Sequence, residues 1–160
     1  MRKIKFRGKA TRDYPALKIK KGDWVYGYLA DENLISVDIY MDDYGDLHCV
    51  LVEVDPKTVG QYATVDDKNG REIYEGDIIK IAPSYHRLGE IYVVKFGRVE
   101  IEAGECENVY ENIVEAVGAE IIGFYAESEF EEVVSFVELA DVEVIGNVYD
   151  NPELLEEKDD

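Results

Sequence analysis

The chain has 160 residues, a formal net charge of −19 and 46% hydrophobic residues. That length suits one domain, or a domain with a small appendage, and the apolar content can build a core. No apolar run approaches the ~20 residues of a membrane span, and so acidic a surface repels phosphate backbones over most of its extent.

The start of the chain is basic but lacks the apolar stretch of a secretory signal, so a cytoplasmic protein is expected. Residues 1–24 hold nine Lys/Arg against two Asp, or +7. Arg2, Lys3, Lys5, Arg7 and Lys9 read as an arm that is solvated or docks on the acidic body. Residues 4–6 alternate as a short strand. Residues 8–22 read as a loop, with Tyr14-Pro15 forcing an extended step. Residues 23–29 form a strand with aromatic and β-branched side chains on both faces. Residues 35–40 are a second strand and 47–54 a third. Turn chemistry at Asp42-Asp43-Tyr44-Gly45-Asp46 makes a hairpin around Gly45.

Further along, Asn69-Gly70 offers two positive-φ positions for a tight turn. Glu75-Gly76-Asp77 is another turn, leading into an apolar strand at 78–81. Residues 83–89 are a loop. Residues 90–96 are a strand closed by Gly97, with 99–101 continuing after that turn. Residues 108–117 place Val109, Ile113, Val114 and Val117 on one helical stripe, stopped by Gly118. Residues 120–125 and 142–149 read as strands, and 129–139 fits either strand or helix. Asn151-Pro152-Glu153 is a helix start, with Asn151 as the N-cap and Pro152 at the first helical position. The acidic residues 156–160 read as a disordered, solubilising tail.

Three blocks carry a family resemblance. The first is Ile4-Lys5-Phe6-Arg7-Gly8-Lys9 followed by Trp24-Val25-Tyr26-Gly27. The second is Gly60-Gln61-Tyr62 followed by Asp67-Lys68-Asn69-Gly70-Arg71-Glu72-Ile73-Tyr74-Glu75-Gly76-Asp77-Ile78-Ile79-Lys80. The third is Val144-Ile145-Gly146-Asn147-Val148-Tyr149-Asp150-Asn151-Pro152-Glu153-Leu154-Leu155. In this order they resemble the YopX proteins of bacteriophages and prophages, and they bracket nearly the whole chain. The resemblance implies a mainly β fold containing a small SH3-type barrel, with additional strands and one or two short helices. It also implies homo-oligomers. It brings no activity, cofactor or catalytic residue. The expected organisation is a single domain over residues 1–155. Its β barrel and hairpin part covers about 1–100, an acidic α/β appendage covers 101–155, and the tail follows.

Candidate chemistry is thin. Asp66-Asp67-Lys68-Asn69-Gly70 invites a calcium-loop reading, but with Gly70 at position six, Val65 and Gly76 fall where carboxylates belong. A hairpin turn is the better account. Asp42, Asp43 and Asp46 read as a solvated loop. His48 and Cys49 are adjacent on a strand and point to opposite faces. Ser84 and His86 lack the strand–turn–helix context of a nucleophile. Cys49 and Cys106 form no disulfide framework. Glu72, Glu75 and Asp77 read as solvated carboxylates near a turn. Trp24, Tyr26 and Tyr28 alternate onto one face, which suits a core first, a subunit interface second and a base-stacking platform last.

No catalytic, cofactor-binding or metal-binding residue is therefore expected, and no enzyme. The expected function is a phage or prophage protein that self-associates and binds other proteins of the phage or host, without membrane contact or direct nucleic-acid binding. The alternative is an acidic mimic of DNA that blocks a host nucleic-acid-binding protein. It rests on residues 101–160, which hold one basic against nineteen acidic residues, or −18.

Overall fold

The computed structural model describes residues 4–81, 91–101, 119–127, 133–135 and 142–156. Two antiparallel sheets account for the strands. The first has six strands in the order β4-β3-β2-β1-β5-β6. These are β1 (Phe6–Lys9), β2 (Trp24–Asp31), β3 (Leu34–Met41), β4 (Leu47–Glu53), β5 (Gly60–Asp66) and β6 (Glu72–Tyr74). The second has five, ordered β10-β9-β8-β7-β11. These are β7 (Asp77–Ile81), β8 (Ile91–Ile101), β9 (Ala119–Glu127), β10 (Val133–Ser135) and β11 (Val142–Asn147). The chain on both sides of residue 100 thus contributes to one sheet.

Both sheets are open. A single bridge, Ala10↔Val54, brings the end of β4 back toward the end of β1. No strand pairing among the described residues closes either sheet on itself, so the SH3-type barrel implied by the resemblance is not seen.

Apolar side chains segregate into two clusters. Ala10, Val25, Ile35, Val52 and Val54 are buried in the first sheet, with Phe6, Tyr14, Leu17 and Ile19 packed against them. The segment before β2 is therefore a lid over this cluster and not a free loop. Its Tyr14 hydroxyl accepts from the Glu53 N–H at 2.7 Å, tying the lid to β4. The second cluster joins Ala63 and Ile73 of the first sheet to Ile79, Tyr92, Val94, Ala126, Val142 and Val144 of the second. Each fully buried Val or Ile stabilises the fold by roughly 1.5–3 kcal/mol.

Several local expectations change. Gly97 does not end a strand: β8 runs through it, and it stands opposite Gly123 on β9. The neighbouring Phe96–Phe124 pair, 4.9 Å between ring centroids, packs alongside this bare stretch of backbone. Only Gly70 of the Asn69-Gly70 pair has positive φ (+78°). Asp67, Lys68 and Asn69 form a turn whose first residue accepts from the Gly70 N–H, a geometry that needs one left-handed residue. Asn151 and Pro152 take the expected N-cap and first positions, but the Asn151 side chain makes no capping bond. It accepts from the Asn147 N–H behind it, and Pro152–Leu155 makes only one 3₁₀ turn. The described helical segments are three such turns, at Pro15–Leu17, Pro56–Thr58 and Pro152–Leu155. Val133–Ser135 settles as strand β10, while the predicted helix at 108–117 lies outside the described residues.

Gly27 sits beside β3, next to the first β2–β3 pair Tyr28↔Ser36. A Cβ there would overlap the carbonyl oxygen of Ser36 and press on Ile35. A backbone carbonyl cannot move aside as a side chain can. Gly27→Ala is therefore expected to destabilise the protein by about 2–3 kcal/mol, read as a lower urea midpoint with unchanged slope.

Candidate functional site

The polar centre of the molecule grows from the alternation of Lys5, Arg7 and Lys9. In an extended segment these odd-numbered residues share one face. Each meets an acidic residue from a distant segment. Lys5 Nζ donates to both carboxylate oxygens of Glu72, at 2.7 and 2.6 Å. Arg7 Nη1 lies 2.7 Å from Asp77 Oδ1. Lys9 pairs with Asp150. For these three residues the docked alternative for the basic arm holds.

Arg7 is the deepest of them, 3% exposed, and its partner Asp77 is fully buried. The guanidinium lies 4.5 Å from the ring centre of Trp24 and 5.0 Å from that of Tyr74. Its Nη2 donates to the Glu75 carbonyl at 3.2 Å. Beside it on β5 stands Gly60, where a Cβ would collide with that same carbonyl. Tyr26 and Tyr62 pack on Tyr74, with ring centres 5.5 and 5.6 Å away. Asp77 Oδ2 accepts from the Tyr74 N–H at 2.8 Å, and the Tyr74 hydroxyl donates to Glu72 at 2.7 Å. Burial pushes the Asp77 carboxyl up from the ordinary carboxylate range, while the Arg7 charge pulls it back. Burial and the neighbouring Glu72 raise the Tyr74 hydroxyl. Burial, with Asp66, pushes Tyr62 up to about 12.

Two further carboxylates fasten the third block. Asp67 Oδ1 accepts from the N–H groups of Asn69 and Arg71 at 2.8 and 2.9 Å, and its Oδ2 from Val144 N–H at 3.1 Å. Burial acts to raise its pKa, but these backbone donors together hold it below the usual value. Asp150 accepts from Trp24 Nε1 at 2.8 Å and Asn147 Nδ2 at 3.0 Å, besides pairing with Lys9. Burial opposes its ionisation, yet the hydrogen bonds from Lys9, Asn147 and Trp24 bring it down to about 2.

The residues singled out in the sequence disperse. Asp67, Glu72 and Asp77 serve a turn, a lysine and an arginine respectively. Glu75 is half-buried and burial raises its carboxyl. Asp42 Oδ1 accepts from the Tyr44 and Asp46 N–H groups and Oδ2 contacts His48 Nε2 at 2.9 Å, so it shapes its own hairpin. His48 stacks on Tyr40 and not on Cys49, which is exposed. Ser84, His86 and Cys106 lie outside the described residues. Among the described residues, no three His, Cys, Asp or Glu side chains converge as a metal site would need, and no helix is long and apolar enough to cross a membrane.

The aromatic strand needs a correction. Core was ranked first for Trp24, Tyr26 and Tyr28, but the buried residue of that strand is Val25. Tyr26 is 47% and Tyr28 60% exposed. Both faces of β2 carry large apolar residues, so alternation alone does not reveal which faces in. The lid formed by residues 11–22 covers the Val25 face. On the opposite face Tyr26 and Tyr28, with Ile4, Lys5, Gly27 and residues 36–39, line a half-open cleft of about 590 Å³. Sequence reasoning missed the roles of Arg7, Asp77, Asp67 and Asp150. The available signal was an acid placed directly before the apolar run Ile78-Ile79, where a solvated carboxylate would be out of place.

A family model described as YopX protein matches residues 11–156. No curated protein matches the chain. Among solved structures, the crystal structure of protein EF1440 from Enterococcus faecalis is similar. It is 23% identical with a TM-score of 0.53, covering 98% of this chain and 100% of that one. At that identity the likeness bears on the fold alone.

Asp77→Asn keeps the shape but leaves the buried Arg7 charge uncompensated, and is expected to cost ~3–5 kcal/mol. Combining it with Arg7→Met should cost clearly less than the two single losses added, in a double-mutant cycle by urea denaturation. Additive losses would contradict the pairing. Asp150 has a folded pKa of about 2 against an ordinary value of 3.8. A depressed carboxylate contributes stability above its unfolded pKa and loses it as pH falls through the folded one. Unfolding free energy should therefore fall between about pH 4 and 2, and Asp150→Asn should flatten that fall.

Proposed function

This chain belongs to the YopX family, and from that premise we propose that it is a non-enzymatic, self-associating protein–protein interaction module encoded by a phage or prophage. It works in the bacterial cytosol without a cofactor, with copies of itself and a phage or host protein as partners. One observation carries the reading: the polar groups of the three blocks are engaged with one another. Lys5, Arg7 and Lys9 meet Glu72, Asp77 and Asp150, so the charges that mark the blocks hold the chain to itself. Groups committed in this way are scaffolding, and function falls to the surfaces they position.

Those surfaces are apolar and aromatic. Tyr28, Tyr40, Met41, Tyr44 and Ile39 are exposed, and Tyr and Met are enriched where proteins meet. The DNA-mimic alternative is weakened where acids of that segment are spent within the chain. Glu127, Glu143 and Asp150, three of its six described acids, pair with Lys95, Lys68 and Lys9.

Light scattering of the purified protein tests the reading. The expected result is a mass at a whole multiple of the chain's own. A strictly monomeric mass across a hundredfold range of concentration would remove the self-association.

A further inference from the structure

The β3–β4 hairpin leaves the rest of the first sheet halfway along its length. β2 pairs with β3 only from Tyr28↔Ser36 to Asp31↔Leu34, whereas β3 and β4 stay paired from Leu34↔Glu53 to Met41↔Leu47. Val37 is the extra residue of a bulge on β3, and such a bulge bends the strand. Beyond it, residues 38–41 and 47–50 form a ribbon of two strands. Two strands alone are marginally stable in water, and a third strand or a packed face is needed. Yet Ile39, Tyr40 and Met41 stand exposed on this ribbon, and beside it Leu51 is 42% exposed.

The outer edge of β4 is built to accept that third strand. Asp42 N–H donates to the Asp46 carbonyl at one end of the hairpin and Val54 N–H to the Asn33 carbonyl at the other. Even-numbered residues of β4 therefore turn their backbone groups toward β3, and Cys49 and Leu51 turn theirs outward. Among the described residues this edge is engaged only at its far end, where Thr11 N–H donates to the Glu53 carbonyl and Glu53 N–H to the Tyr14 hydroxyl. Exposed edges are usually guarded by lysine, proline or a bulge. Residues 47–52, Leu-His-Cys-Val-Leu-Val, contain no Lys, Arg, Asp, Glu or Pro, and the bulge belongs to the other strand.

Charge and symmetry select the occupant. With a net charge of −19, most approaches between two copies are repulsive. The 47–52 window is without formal charge, and Glu53 at its border is faced by Arg12. An antiparallel strand meeting its own copy is a two-fold operation that closes on itself. We propose that β4 pairs antiparallel with β4 of a second copy, giving a four-stranded ribbon in the order β3-β4-β4-β3. The pairing rests on the self-association reading above and assigns it a surface.

Two measurements test it. Leu51→Lys places a charge on the edge at an exposed position, so circular dichroism and melting should match wild type. Its self-association, followed by sedimentation, should weaken at least tenfold. Separately, a Cys106→Ser chain keeps Cys49 as its one thiol. A short bismaleimide should then link it into a covalent dimer, and this linkage reads the native edge whether or not the lysine variant folds. A monomeric wild type overturns the self-association reading and the strand pairing together. An oligomeric wild type with no Cys49 linkage, and no weakening by Leu51→Lys, leaves self-association standing and overturns the β4 pairing alone.

Discussion

Arg7 and Asp77 join the first strand of one sheet to the first strand of the other, and the arrangement of the molecule follows from that contact. Two charges withdrawn from water cost several kcal/mol each before their attraction is counted. The protein lowers that cost by building around the pair. Trp24 and Tyr74 offer ring faces to the guanidinium, the Glu75 carbonyl takes one of its N–H groups, and the Tyr74 backbone N–H binds the second carboxylate oxygen. Lysine could not replace this arginine, because the site uses a planar cation that stacks and forks. The gain is in alignment. Sliding β1 by one residue would turn Arg7 to the opposite face, into the cluster around Val25 and Ile35, and leave Asp77 buried without a counter-charge.

The same logic explains why the three sequence blocks occur together. Block one supplies the cations and the Trp24 ring. Block two supplies Glu72, Asp77, Tyr74 and the turn at Asp67. Block three supplies Asp150 and the β11 backbone that Asp67 holds through Val144. Gly76, at φ +80°, is the crossing point: its N–H donates to Val94, its carbonyl accepts from Val148, and a Cβ would press on Tyr149. A residue with a side chain would be strained there by both conformation and space.

Much of this was legible in the sequence, and the failures have a common cause. Strands, the hairpin at Gly45 and the turn at Gly76 follow from period-two patterns and glycine chemistry, which are local. The reading of Trp24, Tyr26 and Tyr28 as core failed because inside and outside are set by what lands on a strand, here the lid carrying Tyr14, Leu17 and Ile19. Gly97 looked like a terminator because its partner Gly123 is remote in sequence. The Arg7–Asp77 contact spans seventy positions, and no spacing rule reaches so far. Alternation at Lys5, Arg7 and Lys9 was visible as a pattern. Its meaning depended on acids placed by two later segments.

The distribution of charge then constrains what the surface can recognise. Lys5, Lys9, Lys68 and Lys95 all pair with carboxylates of the same chain, and Arg7 is buried. These five cations are spent within the chain, and the overall field stays strongly negative. Long-range attraction can therefore favour only a basic partner, and two copies must meet where the field is weakest. The uncharged edge of β4 is such a place, and the aromatic cleft beside β2, on the same face of the first sheet as Arg7, offers apolar contact. Recognition by backbone hydrogen bonds and apolar contact suits them, because neither needs a charge that the fold already uses to hold its two sheets together.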